Sequence, residues 1–246
     1  MPTIDINCDL GEGAGTDEQI MPYISSANIA CGFHAGDEKM MNETIQLAIT
    51  HKVAIGAHPS FFDRDNFGRT EMNLLPDDVY DLILLQLRQF EKIVRQHGAS
   101  LHHVKPHGAL YNQSARQQEV AAAIAKAVKD FDEELVLVGL CNSFSVMQAK
   151  AVELKTASEA FADRSYQDDG TLTPRSQANA LIVDQDKMLQ QVLQIILQKT
   201  VTTVSGKNIS MHADTICIHG DGPNAVEFAK TIYHTLKQNN IAIKSF

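Results

Sequence analysis

Short apolar segments of this chain end repeatedly in turns that carry ionisable side chains. In residues 28–37, an apolar stretch passes into a glycine-bracketed turn that contains His34 and Asp37. The same design recurs at Asp9 and Glu12, His58, His107, Asp163 and Arg164, and His219 and Asp221. The carboxyl ends of all strands of a β/α barrel meet at one face, where the active site is built. The sequence therefore predicts a TIM-like β/α barrel with its functional site at that face.

The hydrophobic pattern supports this class of fold and sets the number of strands. Seven segments have the pattern of strands: residues 2–8, 27–31, 53–57, 101–104, 135–140, 157–161 and 215–218. Most are separated by apolar positions at helical spacing. Residues 201–210 predict a small β-hairpin before the last strand, and Pro223 is placed at the start of the closing helix. We expect one domain, residues 1–246, with seven parallel strands, because no linker interrupts the pattern.

Composition excludes several classes of function. The chain has 246 residues and a net charge of −9, which disfavours nonspecific binding to nucleic acid or to an anionic membrane. No apolar run approaches the ~20 residues of a membrane span, and the amino terminus lacks the features of a signal peptide. The four cysteines form no C-x-x-C pair and are interpreted as reduced, buried residues. A cytoplasmic protein is expected.

Carboxylates and histidines at the strand ends are the first candidates for catalysis. Asp9 and Glu12 flank a glycine turn, where such a pair can hold a cation or supply a general acid or base. Helix capping is the alternative explanation for both. Four histidines close strand-like segments and are expected to converge at one barrel mouth: His34, His58, His107 and His219.

A divalent metal is a further hypothesis. Asp9, His34 and His58 would suit an ion that activates water. The sequence contains no His-Glu-x-x-His motif and no tightly spaced Cys/His ligands, so the presence of a metal stays open.

Basic side chains near the same strand ends predict anion binding. Arg69, Arg164 and Arg175 can clamp a carboxylate or a phosphate, although salt bridges with the loop aspartates would also explain them. Lys105 follows an apolar strand, where a lysine needs a partner. No Walker-type phosphate loop is present. If ATP takes part, its site is nonstandard or lies on another subunit.

Several segments together resemble the LamB/YcsF family. They are residues 7–13 (NCDLGEG), 27–37 (ANIACGFHAGD), 56–60 (GAHPS), 104–112 (VKPHGALYN), 162–164 (ADR) with 169–170 (DG), and 218–221 (IHGD). The resemblance runs from the first strand to the last helix. Two departures are local: Glu38 replaces the usual proline, and Thr70 stands where the family more often has a second arginine.

The resemblance implies a seven-stranded barrel related to sugar-deacetylase and glycosidase barrels. It also implies ATP-dependent opening of the 5-oxoproline lactam to glutamate, with 5-oxoprolinase subunits B and C as partners and ATP bound on, or shared with, a partner. Homo-oligomers are compatible with it.

We expect the site residues to divide the chemistry among them. The substrate carboxylate is bound by Arg69, Arg164 or Arg175, in a pocket shared with Tyr111, His219 and Asp221. Lys105 and His107 stabilise the oxyanion or phosphate. Asp9 or Glu12 activates water, with His34 and His58.

Two other functions remain open at this point. A stand-alone metal hydrolase acting on amides or acetylated sugars would share the barrel and the Asp/His site. A metabolite-binding subunit without catalytic activity would share the pocket. ATP-independent, chelator-sensitive hydrolysis would favour the first, and ligand binding without any effect of site substitutions on turnover would favour the second.

Overall fold

The computed structural model describes residues 2–222 and 224–246 and contains a closed barrel. In chain order, the strands are β1 (Thr3–Leu10), β2 (Ser26–Ala30), β3 (Ala54–His58), β4 (His103–Val104), β5 (Val136–Leu140), β6 (Lys155–Phe161), β7 (Thr200–Thr202), β8 (Asn208–Ser210), β9 (Thr215–His219) and β10 (Ala242–Ile243). Strands β1 to β6 and β9 are parallel, and β9 closes the barrel by pairing with both β6 and β1. The predicted seven-stranded barrel is confirmed.

Helices surround the barrel and connect most of its strands. They are α1 (Asp17–Ile20), α2 (Glu38–His51), α3 (Pro76–Gln96), α4 (Gly108–Arg116), α5 (Gln118–Phe131), α6 (Phe144–Ala151), α7 (Gln185–Leu193) and α8 (Ala225–Gln238). Asp37 caps α2 by accepting a hydrogen bond from the amide of Met40. Pro223 lies outside the described residues.

Two small elements lie outside the seven-stranded barrel. The predicted hairpin is confirmed, since β7 and β8 pair antiparallel as a separate sheet. Strand β10 was not predicted: it pairs in parallel with the first residues of β1, with Thr3 opposite Ala242. A strand of two residues is too short to give a periodic pattern, so only its partner reveals it.

The interior of the barrel is polar, which explains the alternation in β1. Ile4, Ile6 and Cys8 are buried in the hydrophobic core, whereas Asp5, Asn7 and Asp9 alternate with them and are also buried. Alternation usually indicates a strand with one face in water. Here both faces are covered, so the polar face must satisfy its hydrogen bonds inside the barrel.

A network of hydrogen bonds between neighbouring strands satisfies these buried polar side chains. Asn7 donates to Glu159 Oε1 at 2.9 Å and to Thr215 Oγ1 at 2.6 Å. Asn28 donates to the side-chain oxygens of Asn7 and Asp9, and its own oxygen contacts His103 Nε2 at 2.9 Å. These bonds cross from strand to strand and fix the orientation of the side chains beneath the site.

A glycine makes room for one member of this network. The ring of His103 lies against Gly56 in β3, where an added Cβ would stand 2.1 Å from His103 Nε2. Only glycine permits this approach, and β3 therefore packs directly on the imidazole.

The described residues were compared with the requirements of a membrane-spanning helix and of a disulfide. No helix among them is both long enough and apolar enough to cross a membrane. All four cysteines are free thiols and buried, as the sequence predicts.

Asp5 lies at the amino-terminal end of the interior network. Its carboxylate accepts hydrogen bonds from Ser25, Ser26 and Thr215, but burial outweighs them and raises its pKa to about 6 from a usual 3.8. The folded state therefore binds this proton more tightly than the unfolded state does. The resulting stabilisation is full below about pH 4 and is lost as the pH rises through 6.

Asp5→Asn removes this titration. The melting temperature of the variant, relative to wild type, should rise by on the order of 5 °C between pH 4 and pH 7.5, measured by thermal unfolding. The exposed Asp65→Asn serves as the control and should show no such trend. An Asp5→Asn difference that stays constant with pH would contradict this account.

Candidate active site

Polar side chains from the carboxyl ends of the strands converge on one open cleft. Asp9 lies near the end of β1, His58 ends β3, and Lys105 and His107 follow β4. The cleft has a volume of about 710 Å³, and these four residues line its floor. Other predicted residues line its walls: Arg69, Tyr111, Arg164, Arg175 and His219.

The ammonium group of Lys105 is at the centre of the floor. Lys105 is 2% exposed, and its Nζ lies 2.9 Å from Asp9 Oδ1 and 2.8 Å from Glu159 Oε1. Asn7 Oδ1 accepts a third bond at 3.2 Å. An ammonium buried in this way is stable only because the carboxylates compensate for the loss of water.

The same pairing sets the charge states of both partners. Burial alone would lower the pKa of Lys105, but the charge of Asp9, with that of Glu159, holds this pKa well above its usual range. Burial would raise the pKa of Asp9, yet His58 and Lys105 hold it well below its usual range. The floor of the cleft thus presents a carboxylate that stays ionised near neutral pH beside a fixed positive charge.

Glu12 and three histidines form a second group next to Asp9. Glu12 Oε1 lies 3.0 Å from His34 Nε2, 3.7 Å from His58 Nε2 and 3.3 Å from His107 Nδ1. The rings of His34 and His107 are stacked, with centroids 3.8 Å apart. His107 Nδ1 and His58 Nε2 face each other at 2.9 Å.

Backbone carbonyls orient two of these rings. His58 Nδ1 contacts the carbonyl oxygen of Lys105 at 2.6 Å, and His107 Nε2 contacts that of Phe67 at 2.9 Å. A carbonyl can only accept, so each of these ring nitrogens carries the proton. His58 Nε2 and His107 Nδ1 are therefore the lone-pair nitrogens when the rings are neutral.

The loop after β3 packs closely against His34 and His107. Gly68 has φ of +65°, and an added Cβ would lie 2.8 Å from the Cβ of His34 and 2.9 Å from His107 Cδ2. Glycine is required here both for its conformation and for its lack of a side chain. The long loop after β3 thereby packs its backbone against both stacked rings.

Burial determines the protonation tendencies of this group. Burial, together with the negative charge of Asp9, raises the pKa of Glu12 well above its usual range. Burial also lowers the pKa of His34 to about 2 and that of His107 well below its usual range. These two histidines are thus neutral near pH 7, and Glu12 takes up a proton more readily than an exposed glutamate does.

A histidine–aspartate pair forms one wall of the cleft. His219 Nδ1 lies 2.9 Å from Asp163 Oδ1, and its ring stacks on Phe161 with centroids 5.3 Å apart. Burial would raise the pKa of Asp163, but His219 holds it below its usual value. This pairing fixes the ring and leaves Nε2 available to a molecule in the cleft.

The three predicted arginines differ in how they are held. Arg164 is buried and donates to the carbonyls of Thr173 and Ala180, and burial lowers its pKa to about 10. Arg69 forms an ion pair with Asp221 at 2.5 Å. Among residues 2–222 and 224–246, the guanidinium of Arg175 has no hydrogen-bond or ion-pair partner, although it lines the cleft.

Most of the residues predicted from the sequence meet at this cleft. All six residues predicted as catalytic lie in one continuous cluster: Asp9, Glu12, His34, His58, Lys105 and His107. Tyr111 borders the cleft with a buried hydroxyl, and Asp221 reaches it through Arg69 while lining a smaller cavity of about 110 Å³ beside His219. Of the three residues predicted as metal ligands, His34 and His58 belong to the group around Glu12, whereas Asp9 binds Lys105.

Sequence reasoning missed the residues that support the cluster from inside the barrel. Glu159 is fully buried in β6 and pairs with Lys105. Asn7 donates to Glu159, and Asn28 donates to Asn7 and Asp9. The signal was present: a glutamate inside a predicted strand of a barrel needs a buried partner of opposite charge. Lys105, an equally unusual residue at a strand end, was the partner to seek.

The arrangement combines the parts required for acyl chemistry on an anionic substrate. Asp9 is an ionised carboxylate suited to activate water, and Lys105 is a fixed cation suited to stabilise a developing oxyanion. His219, the register partner of Asp9 on the neighbouring strand β9, has Nε2 free for a molecule in the cleft, and Arg175 offers a guanidinium for a carboxylate.

The chain is similar over nearly its whole length to curated proteins that share one name. A chain from Bacillus cereus (strain 03BB102), named as the A subunit of 5-oxoprolinase, is 51% identical, over 99% of this chain and 98% of its own length. A chain of the same name from Staphylococcus aureus (strain MSSA476) is 49% identical, over 98% and 99%.

Solved structures agree on the architecture. The crystal structure of a lactam utilization protein from Thermus thermophilus matches with a TM-score of 0.93 and 41% identity, over 99% of this chain and all of that one. A family 4 carbohydrate esterase from Streptomyces lividans, 8% identical over 98% and 91% of the chains, matches with a TM-score of 0.54 and shares the fold. The LamB/YcsF family matches residues 4–246, and the chain belongs to this family.

Proposed function

We propose that this chain is a subunit of an ATP-dependent 5-oxoprolinase and binds the lactam in the cleft at the barrel mouth. The observation that carries the proposal is the pairing of Asp9 with Lys105 on the floor of a cleft that Arg175 and His219 also line. Relatives named as 5-oxoprolinase subunits, about half identical over their whole length, support the choice of substrate.

The chemistry explains the need for ATP. An unstrained lactam is a poor electrophile, since its nitrogen donates electrons to the carbonyl. Transfer of the γ-phosphoryl group to the lactam oxygen releases ADP and gives an activated imidate. Addition of water and cleavage of the carbon–nitrogen bond then yield an acyl phosphate and the free amine. A second water hydrolyses the acyl phosphate to glutamate and phosphate.

We assign a role in these steps to four residues, according to where each lies in the cleft. Asp9 accepts the proton of the attacking water, and Lys105 stabilises negative charge on the lactam oxygen and its phosphate. His219, held by Asp163, protonates the departing nitrogen. Arg175 binds the substrate carboxylate, since Arg69 and Arg164 already have partners.

ATP and partner subunits belong to this proposal. The chain lacks a Walker-type phosphate loop, and its relatives are named as one subunit of an enzyme. We place the nucleotide on, or at the boundary with, 5-oxoprolinase subunits B and C. The lactam cleft is then one half of a composite site.

The first test concerns the floor of the cleft. In the complex reconstituted with subunits B and C, Asp9→Asn and Lys105→Met should each reduce glutamate release by about 100-fold or more. Lys105→Met leaves two buried carboxylates without their cation, so circular dichroism and thermal unfolding must confirm that the variants are folded. Exposed Lys39→Met is the matched control and should retain full turnover. Near-normal rates in both cleft variants would contradict the assignment.

The second test concerns the substrate carboxylate. Arg175→Met should raise the KM for 5-oxoproline by about 10- to 100-fold, the value of a lost charge-assisted hydrogen bond, with a smaller change in kcat. Arg95→Met, on the exposed surface of α3, is the control. An unchanged KM for Arg175→Met would assign the carboxylate to another residue.

A second function, an ATP-independent metal hydrolase acting alone, is favoured by the group of Glu12 with three histidines. The two are separated by assaying the isolated chain and the complex, with and without ATP and chelator. Amide hydrolysis by the chain alone, without ATP and abolished by chelator, would establish the second function and overturn the first.

A further inference from the structure

The geometry points to a binding site for a divalent transition-metal ion of the zinc class, formed by Glu12, His34, His58 and His107. The site lies beneath the cleft, beside the Asp9–Lys105 pair. It differs from the set expected from the sequence, because Glu12 and His107 take the place of Asp9. Four observations carry the inference.

The first observation is the spacing of the donor atoms. One atom from each of the four residues lies within 4.8 Å of all the others. Zinc binds nitrogen and oxygen at about 2.0–2.1 Å, so neighbouring donors of a tetrahedral ion stand roughly 3.3 Å apart. The contacts of Glu12 Oε1 with the three imidazoles are 3.0, 3.3 and 3.7 Å, and His58 Nε2 and His107 Nδ1 are 2.9 Å apart. These four separations bracket the tetrahedral value, and the stacked rings of His34 and His107 must turn away from parallel to bring both nitrogens to one ion.

The second observation is the direction of the lone pairs. His58 and His107 each donate one N–H to a backbone carbonyl, which is the usual support of a metal-bound imidazole. When both rings are neutral, their remaining nitrogens therefore bring two lone pairs to within 2.9 Å of each other. Such an approach is repulsive unless a cation, either a proton or a metal ion, lies between them. A metal ion satisfies both nitrogens and the adjacent Glu12 oxygen at once.

The third observation is the balance of buried charge. The carboxylates of Asp9, Glu12 and Glu159 are nearly inaccessible to solvent and face one ammonium, that of Lys105. Lys105 binds two of them, whereas Glu12 contacts the three imidazoles. A buried carboxylate must be compensated by a proton or by a cation, and a divalent ion held among the imidazoles supplies the cation.

The fourth observation is access. His58 and His107 line the open cleft, so an ion can reach the group from solvent. Three imidazole nitrogens with one carboxylate oxygen are the donors preferred by zinc and its neighbours in the first transition row, rather than by magnesium or calcium. Bound there, the ion would lie within reach of a molecule in the cleft and could polarise it. Any such catalytic role rests on the proposed function, whereas binding itself does not.

The test is direct binding to the purified full-length chain, without substrate. The chain is stripped with chelator and titrated with zinc chloride by calorimetry, and the bound metal is counted after gel filtration. We expect one equivalent per chain, a higher melting temperature, and visible d–d bands of a low-symmetry site when cobalt(II) replaces zinc. His107→Asn and Glu12→Gln should each weaken binding by about 100-fold or more.

Two controls keep the result decisive. His51→Asn removes an exposed histidine outside the group and should bind zinc like wild type. His234→Asn removes a second exposed histidine, on α8, and should also retain one equivalent.

The inference is overturned if the Kd of wild type for zinc is above about 10 µM, because a site with this donor set should bind more tightly than that. It is also overturned if His107→Asn binds as well as wild type. Binding that is lost in His51→Asn would mean an adventitious surface site and would overturn it as well. These outcomes are independent of turnover, so failure of the metal site and failure of the lactam assignment are distinguishable.

Discussion

The ion pair between buried Lys105 and the carboxylates of Asp9 and Glu159 is the constraint on which the rest of the site depends. An ammonium that is 2% exposed must be fully compensated, and its partners come from β1 and β6, which are far apart in the sequence. The pair therefore joins distant parts of the chain at the centre of the barrel. It also fixes Asp9 as an ionised carboxylate, the form that can act as a base.

The polar interior of the barrel follows from this requirement. Barrels of this kind usually fill their interior with branched apolar side chains. Here Asp5, Asn7 and Asn28 connect the base of the barrel to the ion pair through hydrogen bonds. Such a network is rigid only when every side chain in it has its hydrogen-bond partners. A substitution near the base of the barrel should therefore also disturb the side chains closer to the site. The site is thus supported by the barrel interior as well as by the loops around its mouth.

Much of the fold could be predicted because its signals are local. Short apolar segments, separated by stretches with helical periodicity, identified the seven strands, and the polar residues that follow them identified the face that carries the candidate site. Strand β10 was not predicted because two residues are too few to show an alternating pattern, and the strand is defined only by its pairing with β1. Glu159 was overlooked because its role depends on pairing with Lys105, which lies in a different strand-end segment much earlier in the chain.

The grouping of atoms within the site was also beyond sequence reasoning, because strand ends show which side chains reach the mouth but not which atoms meet there. Gly68 brings the loop after β3 against His107, beside Glu12, whereas Asp9 binds Lys105.

The central claim is that this cleft recognises a lactam that carries a carboxylate. Calorimetric titration of the isolated chain with 5-oxoproline, and with 2-pyrrolidinone as the same ring without the carboxylate, tests it most directly. The account predicts that 5-oxoproline binds, and that 2-pyrrolidinone binds at least about tenfold more weakly, because it lacks the charged hydrogen bonds. Equal affinity for the two compounds, or no binding of 5-oxoproline at concentrations that saturate turnover by the complex, would contradict the account.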